Sequence, residues 1–157
     1  MKRFLLLFLA TVVTAWSASA QLSVSQLRTE HLTDPVGIGE RRPLLSWEVS
    51  DASRRGVTQS AYEIRVKSGG RTVWRTGKVA SAESAGVFYD GTPLTSDTRY
   101  TWQVRVWDDR GKASAWSRPA FWRTGLFDVG EWQARWIEPA VSDDLAAMFR
   151  RTFRVTK

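Results

Sequence analysis

Residues 98–107 read Thr-Arg-Tyr-Thr-Trp-Gln-Val-Arg-Val-Trp, so Tyr100, Trp102, Val104 and Val106 recur at every second position with Thr101, Gln103 and Arg105 between them. Side chains two apart share one face of a strand, so this segment has an apolar side and a polar side as a strand, whereas a helix would scatter both sets around its axis. The same period of two runs through Leu45, Trp47 and Val49 and through Tyr62, Ile64 and Val66. No stretch sustains a helical period for longer than a turn or two. The chain is therefore expected to be all-β.

Alternation and composition predict seven strands, at 22–27, 44–49, 61–67, 72–76, 85–89, 98–107 and 120–124. Turn formers fill the gaps: Asp34-Pro35, Ser68-Gly69-Gly70, Asp90-Gly91-Thr92-Pro93 and Asp108-Asp109-Arg110-Gly111. Near-regular spacing of short strands predicts a sandwich, with a hairpin at the last of these turns. The three apolar stripes become its core. Glu48, Glu63, Arg65, Lys67, Thr101, Gln103 and Arg105 then face outward, on the polar side that an antiparallel sheet presents to water.

The first 20 residues do not fit this pattern: Lys2-Arg3 is a positive start, 4–13 an apolar run and Ala18-Ser19-Ala20 a small-residue cleavage site. They read as a signal peptide, so the mature chain is expected to begin near Gln21 and to be secreted or periplasmic. The apolar run is half the roughly 20 residues that a spanning helix needs, and no membrane span is expected. An exported chain with no Cys has no disulfides, so its stability must come from a hydrophobic core. It also has no Asn, hence no N-glycan acceptor, and no Cys for a lipid anchor.

Particular residues then narrow the fold. Leu44-Leu45-Ser46-Trp47 as a second strand, and Leu94 followed six residues later by Tyr100 at the entry to Trp102-Gln103-Val104-Arg105-Val106, resemble a fibronectin type III domain of the immunoglobulin-like class. The Leu94–Tyr100 element resembles a tyrosine corner, in which the phenol bonds backbone a few residues upstream. A longer ordered set is similar to the N-terminal module of bacterial α-L-rhamnosidases. It comprises Pro43-Leu44-Leu45-Ser46-Trp47, Gln59-Ser60-Ala61-Tyr62-Glu63-Ile64, Val73-Trp74-x-Thr76-Gly77-Lys78-Val79, Tyr100 through Asp108, Ala115-Trp116-Ser117, Phe121 through Leu126 and Trp132-Gln133-Ala134-Arg135-Trp136-Ile137.

The resemblance implies a fibronectin type III-like domain over 22–125, followed over 126–157 by a linker and the first strands of a further β-sandwich. It also implies a longer parent enzyme that inverts at the anomeric carbon of terminal α-L-rhamnose, with its catalytic carboxylates in a barrel beyond this chain. Trp47, Tyr100 and Trp102 would be structural. In the tail, Phe149, Arg151, Phe153 and Val155 alternate as one strand, and a pair of strands alone is marginal in water, so the tail is expected to dock loosely or be disordered.

Glycoside hydrolysis needs two carboxyl groups, one of them with a raised pKa. Glu48 and Glu63 sit at outward positions, and Asp90, Asp97, Asp108 and Asp109 in turns, so no catalytic pair is expected among the 16 acidic residues. His31 is the only histidine and lies in a loop with no nucleophile motif to meet it. Asp108-x-Arg110-Gly111 and Asp143-Asp144 lack the spaced acidic ligands of a calcium loop. No metal and no cofactor are expected.

Tryptophan and arginine are the residues most open to a functional reading. Of 23 basic residues 18 are Arg, and Arg105, Trp107 and Trp116 stand at outward positions near one another. Three readings remain open for them: a cation–π ladder that stiffens the sheet, a contact with downstream domains of the same polypeptide, or a platform for a plant or bacterial polysaccharide. Nucleic acid is disfavoured because basic and acidic residues alternate. Trp132 and Trp136 share a side in helix or strand and are expected to bury against the following domain. The function that results is a non-catalytic structural module of a secreted α-L-rhamnosidase, the alternative being a carbohydrate-binding or adhesion module.

Overall fold

The alternating segment around Trp102 becomes the longest strand of a two-layer sandwich, seen in a computed structural model that describes residues 22–138 and 148–155. The leader and Asp143-Asp144 lie outside the described residues. Nine strands follow in order: β1 (Ser23–Thr29), β2 (Val36–Ile38), β3 (Leu44–Ser50), β4 (Gln59–Ser68), β5 (Arg71–Arg75), β6 (Val79–Ala80), β7 (Val87–Phe88), β8 (Arg99–Asp108) and β9 (Ala120–Thr124). One sheet has the order β1-β3-β7. The other runs β2-β9-β8-β4-β5, with β6 also paired to β4. This is the all-β sandwich that the alternation implied, of the immunoglobulin-like class that the resemblance implied.

The core lies where the stripes meet. Leu45, Ile64, Val66, Val104, Val106 and Trp122 are sealed from solvent, and Trp47, Tyr100 and Trp102 are at most 3% exposed. Rings organise the centre: Trp122 stacks on Tyr100 at 5.4 Å between centroids and meets Tyr89 edge-on at 5.9 Å, while Trp47 meets Tyr62 edge-on at 5.3 Å. Such pairs add to the area term that dominates burial. Trp47 Nε1 donates to Gln59 Oε1 at 3.0 Å, and Tyr100 Oη accepts from the Thr95 amide at 3.0 Å. Thr95 thereby pins the loop that enters β8.

Two strands were not anticipated. β2, expected to be loop, runs parallel to β9, with Arg123 N bonded to Pro35 O and Gly125 N to Ile38 O. The approach is close enough that a Cβ at Gly125 would sit 3.3 Å from Gly37 O. β6 pairs two residues with β4. Three and two residues are too short to show a period of two. The strand expected at 85–89 shrinks to β7, because Ser84 and Tyr89 bond β3 and Pro43 singly, outside a ladder. The expected hairpin at Asp108 is wide: Ser114 N and Ser117 N first bond the carbonyls of Val106 and Val104, and β9 pairs with β8 only from Ala120.

Beyond the sandwich, Phe127 to Glu131 stays tied to it. Glu131 Oε2 accepts from Ser96 Oγ at 2.5 Å and from the Phe127 and Asp128 amides at 3.2 Å, and Arg41 reaches Asp128 at 3.3 Å. The Ser96 hydroxyl is the chief reason that the Glu131 carboxyl lies below its ordinary pKa. Residues 149–155 carry no strand here: among the described residues no ladder partner meets them, and an unpaired strand has no hydrogen bonds to hold it.

Candidate functional site

The outer face of the six-stranded sheet gathers the outward residues of β4, β5 and β8. Register places Arg75 beside Arg65 and Arg65 beside Gln103, and Glu63 beside Arg105. Neighbours in register share a face. Trp116 comes from the stretch between β8 and β9, held on the sheet by Ser117, whose Oγ accepts from Val104 N at 3.1 Å. One turn earlier Ser114 does the same for Val106 N at 3.0 Å.

These residues interleave. Arg65 lies 4.2 Å from the Trp116 ring centroid and Arg105 4.9 Å from it. Arg105 also lies 5.0 Å from the Trp107 centroid, and Lys78 4.8 Å from the same ring. The sequence Arg65, Trp116, Arg105, Trp107, Lys78 is thus a ladder of alternating cations and indoles, each contact within the range of cation–π attraction. Further along the face Arg99 stacks over Phe121 at 3.7 Å.

Beneath the ladder sits Glu63. Its parity is outward, yet its side chain is only 3% exposed, so the expectation that it faces water is corrected. Two guanidiniums, from β5 and β8, close over it. Arg75 Nε donates to Oε1 at 2.6 Å and Arg105 Nε to Oε2 at 2.7 Å, so each carboxylate oxygen holds one arginine. Burial pushes the Glu63 carboxyl up, but the hydrogen bonds and charges of Arg75 and Arg105 outweigh it and leave the pKa lowered. A carboxyl held ionised is the opposite of a general acid.

Several other acidic residues hold turns and loops of the fold. Asp108, a buried residue, accepts from the amides of Arg110 and Lys112 at 3.0 and 2.7 Å and closes its turn. An open groove of about 610 Å³ between β1 and 118–120 includes one carboxylate, that of Asp34, which accepts from Phe121 N at 2.8 Å. His31 is exposed in a tight turn with φ +62°, next to Glu30 at +50°. Among the described residues no group of three or more His, Cys, Asp or Glu could hold a metal ion. Nor is any described helix long and apolar enough to cross a membrane, which says nothing of a β-barrel.

The singled-out residues fall into three places. Trp47, Tyr100 and Trp102 lie in the core; Arg105, Trp107 and Trp116 meet on the outer face; Trp132 and Trp136 stand apart in the tail, 65% and 103% exposed. Sequence reasoning missed Lys78 and Arg65 as ladder members, and Arg75 as a partner of Glu63. The i, i+2 spacing of Glu63 and Arg65 was the available signal for β4. Nothing local marks Lys78.

Residues 24–128 match the family described as the Rha78A-like N-terminal immunoglobulin domain. The chain is similar to an α-L-rhamnosidase of Streptomyces avermitilis, 44% identical over 121 residues that make up 74% of this chain and 12% of that enzyme. It is similar to an α-L-rhamnosidase of Formosa agariphila at 39% identity over 113 residues, 67% of this chain and again 12% of the relative. Among solved structures, the Streptomyces avermitilis α-L-rhamnosidase complexed with L-rhamnose superposes with a TM-score of 0.72 at 43% identity, covering 76% of this chain and 12% of that one. The chain therefore spans about an eighth of the length of the curated relatives it matches.

Proposed function

Because the chain belongs to the family of Rha78A-like N-terminal immunoglobulin domains, we propose that it is the non-catalytic N-terminal module of an exported α-L-rhamnosidase, an enzyme that removes terminal α-L-rhamnose from glycosides. The module runs over residues 22–125, with the clasp at Glu131 in the linker just past it, and its role is to orient the domains that follow. The observation that carries this reading is the state of Glu63, the carboxylate beneath the ladder: two arginines hold it ionised. It braces a surface and has no proton to give. The apolar residues past the clasp support the positioning role, since Trp132, Trp136 and Ile137 are 65–103% exposed and suit burial against a neighbouring domain.

Two measurements test this. The purified 157-residue chain should release no product from a chromogenic rhamnoside. The natural gene product, recovered from its source and weighed by mass spectrometry, should be several times the 17.8 kDa of this chain, begin near Gln21 and hydrolyse that substrate. Rhamnoside cleavage by this chain alone, or a natural product of its own mass, refutes the proposal.

A further inference from the structure

We propose that the outer face of the six-stranded sheet is a binding surface for an acidic polysaccharide, one that carries carboxylate or sulfate groups. The charge on the face is lopsided. Its strands and the turn before β6 bring seven cations to it, Arg65, Lys67, Arg75, Lys78, Arg99, Arg105 and Arg123. Facing them are Glu63, consumed by Arg75 and Arg105, and Asp97 at the rim, consumed by Arg123 at 2.7 Å. Arg65, Lys67, Lys78 and Arg99 make no ion pair with a carboxylate among the described residues. Four uncompensated charges on one flat sheet attract polyanions over about a Debye length.

The ladder decides which polyanion. A neutral sugar binds protein by lying on an open aromatic face, and single-stranded nucleic acid stacks its bases the same way. Here each indole already has two cations within 5.0 Å of its centroid, and two cations repel one another from a shared face, so neither Trp107 nor Trp116 has a ring face open. What the ladder offers is its edge: the guanidinium N–H groups of Arg65 and Arg105 that are not already given to Gln103 and Glu63, donors suited to carboxylate and sulfate oxygens. A chain with anionic groups and no bases matches that edge.

The far end of the surface is also clear of the exit. The polypeptide leaves the sandwich at the Arg99 end of β8, where Ser96 meets Glu131. Trp107 and Lys78 mark the far end, roughly 27 Å away at about 3.4 Å per residue. The segment just past the clasp does not lie over them. The inference is independent of whether a catalytic unit follows, so its test stands apart from the rhamnoside assay.

The test is affinity electrophoresis of the full chain through gels containing polygalacturonate, dextran sulfate or neutral dextran, with a DNA oligonucleotide as competitor. Expected are retardation by both charged polymers, none by dextran, and steep loss of binding as salt rises. Unequal retardation by the two charged polymers identifies the anion preferred. The triple variant Lys67→Gln, Lys78→Gln, Arg99→Gln should weaken binding at least tenfold. A control with the same charge loss elsewhere, Arg28→Gln, Arg55→Gln, Arg110→Gln, should change it less than twofold. Equal loss in both triples would reduce the effect to net charge and overturn the proposal. So would binding to dextran, absence of binding to either polyanion, or DNA displacing polygalacturonate at lower concentration than polygalacturonate displaces itself. All six positions are solvent-accessible, and unchanged thermal midpoints would verify that both triples fold.

Discussion

The two faces of β8 are built from the same ten residues and exclude water by different physics. On the inner face Tyr100, Trp102, Val104 and Val106 are at most 3% exposed and pack among apolar groups and rings, with Tyr100 Oη bonded to Thr95. On the outer face Thr101, Gln103, Arg105 and Trp107 are half-buried, and Arg105 covers a carboxylate. Apolar burial is indifferent to pH and salt near neutrality. The outer layer depends on one ionised group: without Glu63 its arginines repel, and without the arginines Glu63 is a buried charge. A strand's polar side is thus not always its wet side. Here the alternation marks which face is hydrocarbon, and charge pairing decides how dry the other one is.

The largest effect should come from the inner face. Trp102→Ala removes a sealed indole and is expected to destabilise the chain by about 3–5 kcal/mol, read as a fall in the urea midpoint at constant slope. Trp102→Phe should lose much less than its volume change suggests, because Trp102 Nε1 is buried with no hydrogen-bond partner and phenylalanine has no such donor to strand. If the phenylalanine variant is as unstable as the alanine one, shape and not polarity governs that site.

Next comes the outer carboxylate. Glu63→Gln keeps the shape and removes the charge, at an expected loss of about 1.5–3 kcal/mol at pH 7 for hydrogen bonds to charged partners. The contrast between faces sharpens on acidification. Because the folded pKa of Glu63 lies below its ordinary 4.5, its contribution is complete above that value and fades as pH falls through the folded pKa. The gap between wild type and Glu63→Gln should therefore close in acid, while the Trp102→Ala gap stays constant. Parallel curves for both variants would mean that the Glu63 carboxylate contributes through packing alone.

How much of this was legible in the sequence follows from what each element needs. Long strands with strict alternation, β3, β4 and β8, announce themselves, and so does the Leu94–Tyr100 corner. β1 does not: a bulge between Ser25 and Arg28, with Gln26 at φ +50°, shifts the inward set from Leu22 and Val24 to Leu27 and Thr29. Alternation read straight through would have put Gln26 inside. Arg105, Trp107 and Trp116 could be grouped from their outward parity near one turn. Lys78 could not, because its place beside Trp107 is set by the path from β5 to β6. The burial of Glu63 was equally hidden, since parity gives direction and the arginines over it come from two other strands.

The smallest effect expected is at the end of the ladder. Lys78 is exposed, touches the Trp107 ring at 4.8 Å and has no carboxylate partner among the described residues. Its ammonium is well hydrated and its stem flexible, so Lys78→Gln should lose no more than about 0.5–1 kcal/mol. Arg105 bridges two rings and the buried carboxylate, and Arg105→Gln should lose at least as much as Glu63→Gln because it leaves that charge with one partner. Urea midpoints of the two variants rank them directly. A Lys78→Gln loss that equals the Arg105→Gln loss would place the stabilisation in ring stacking along the whole ladder. The outer face would then be a second core of rings, and its dependence on one ionised group would be wrong.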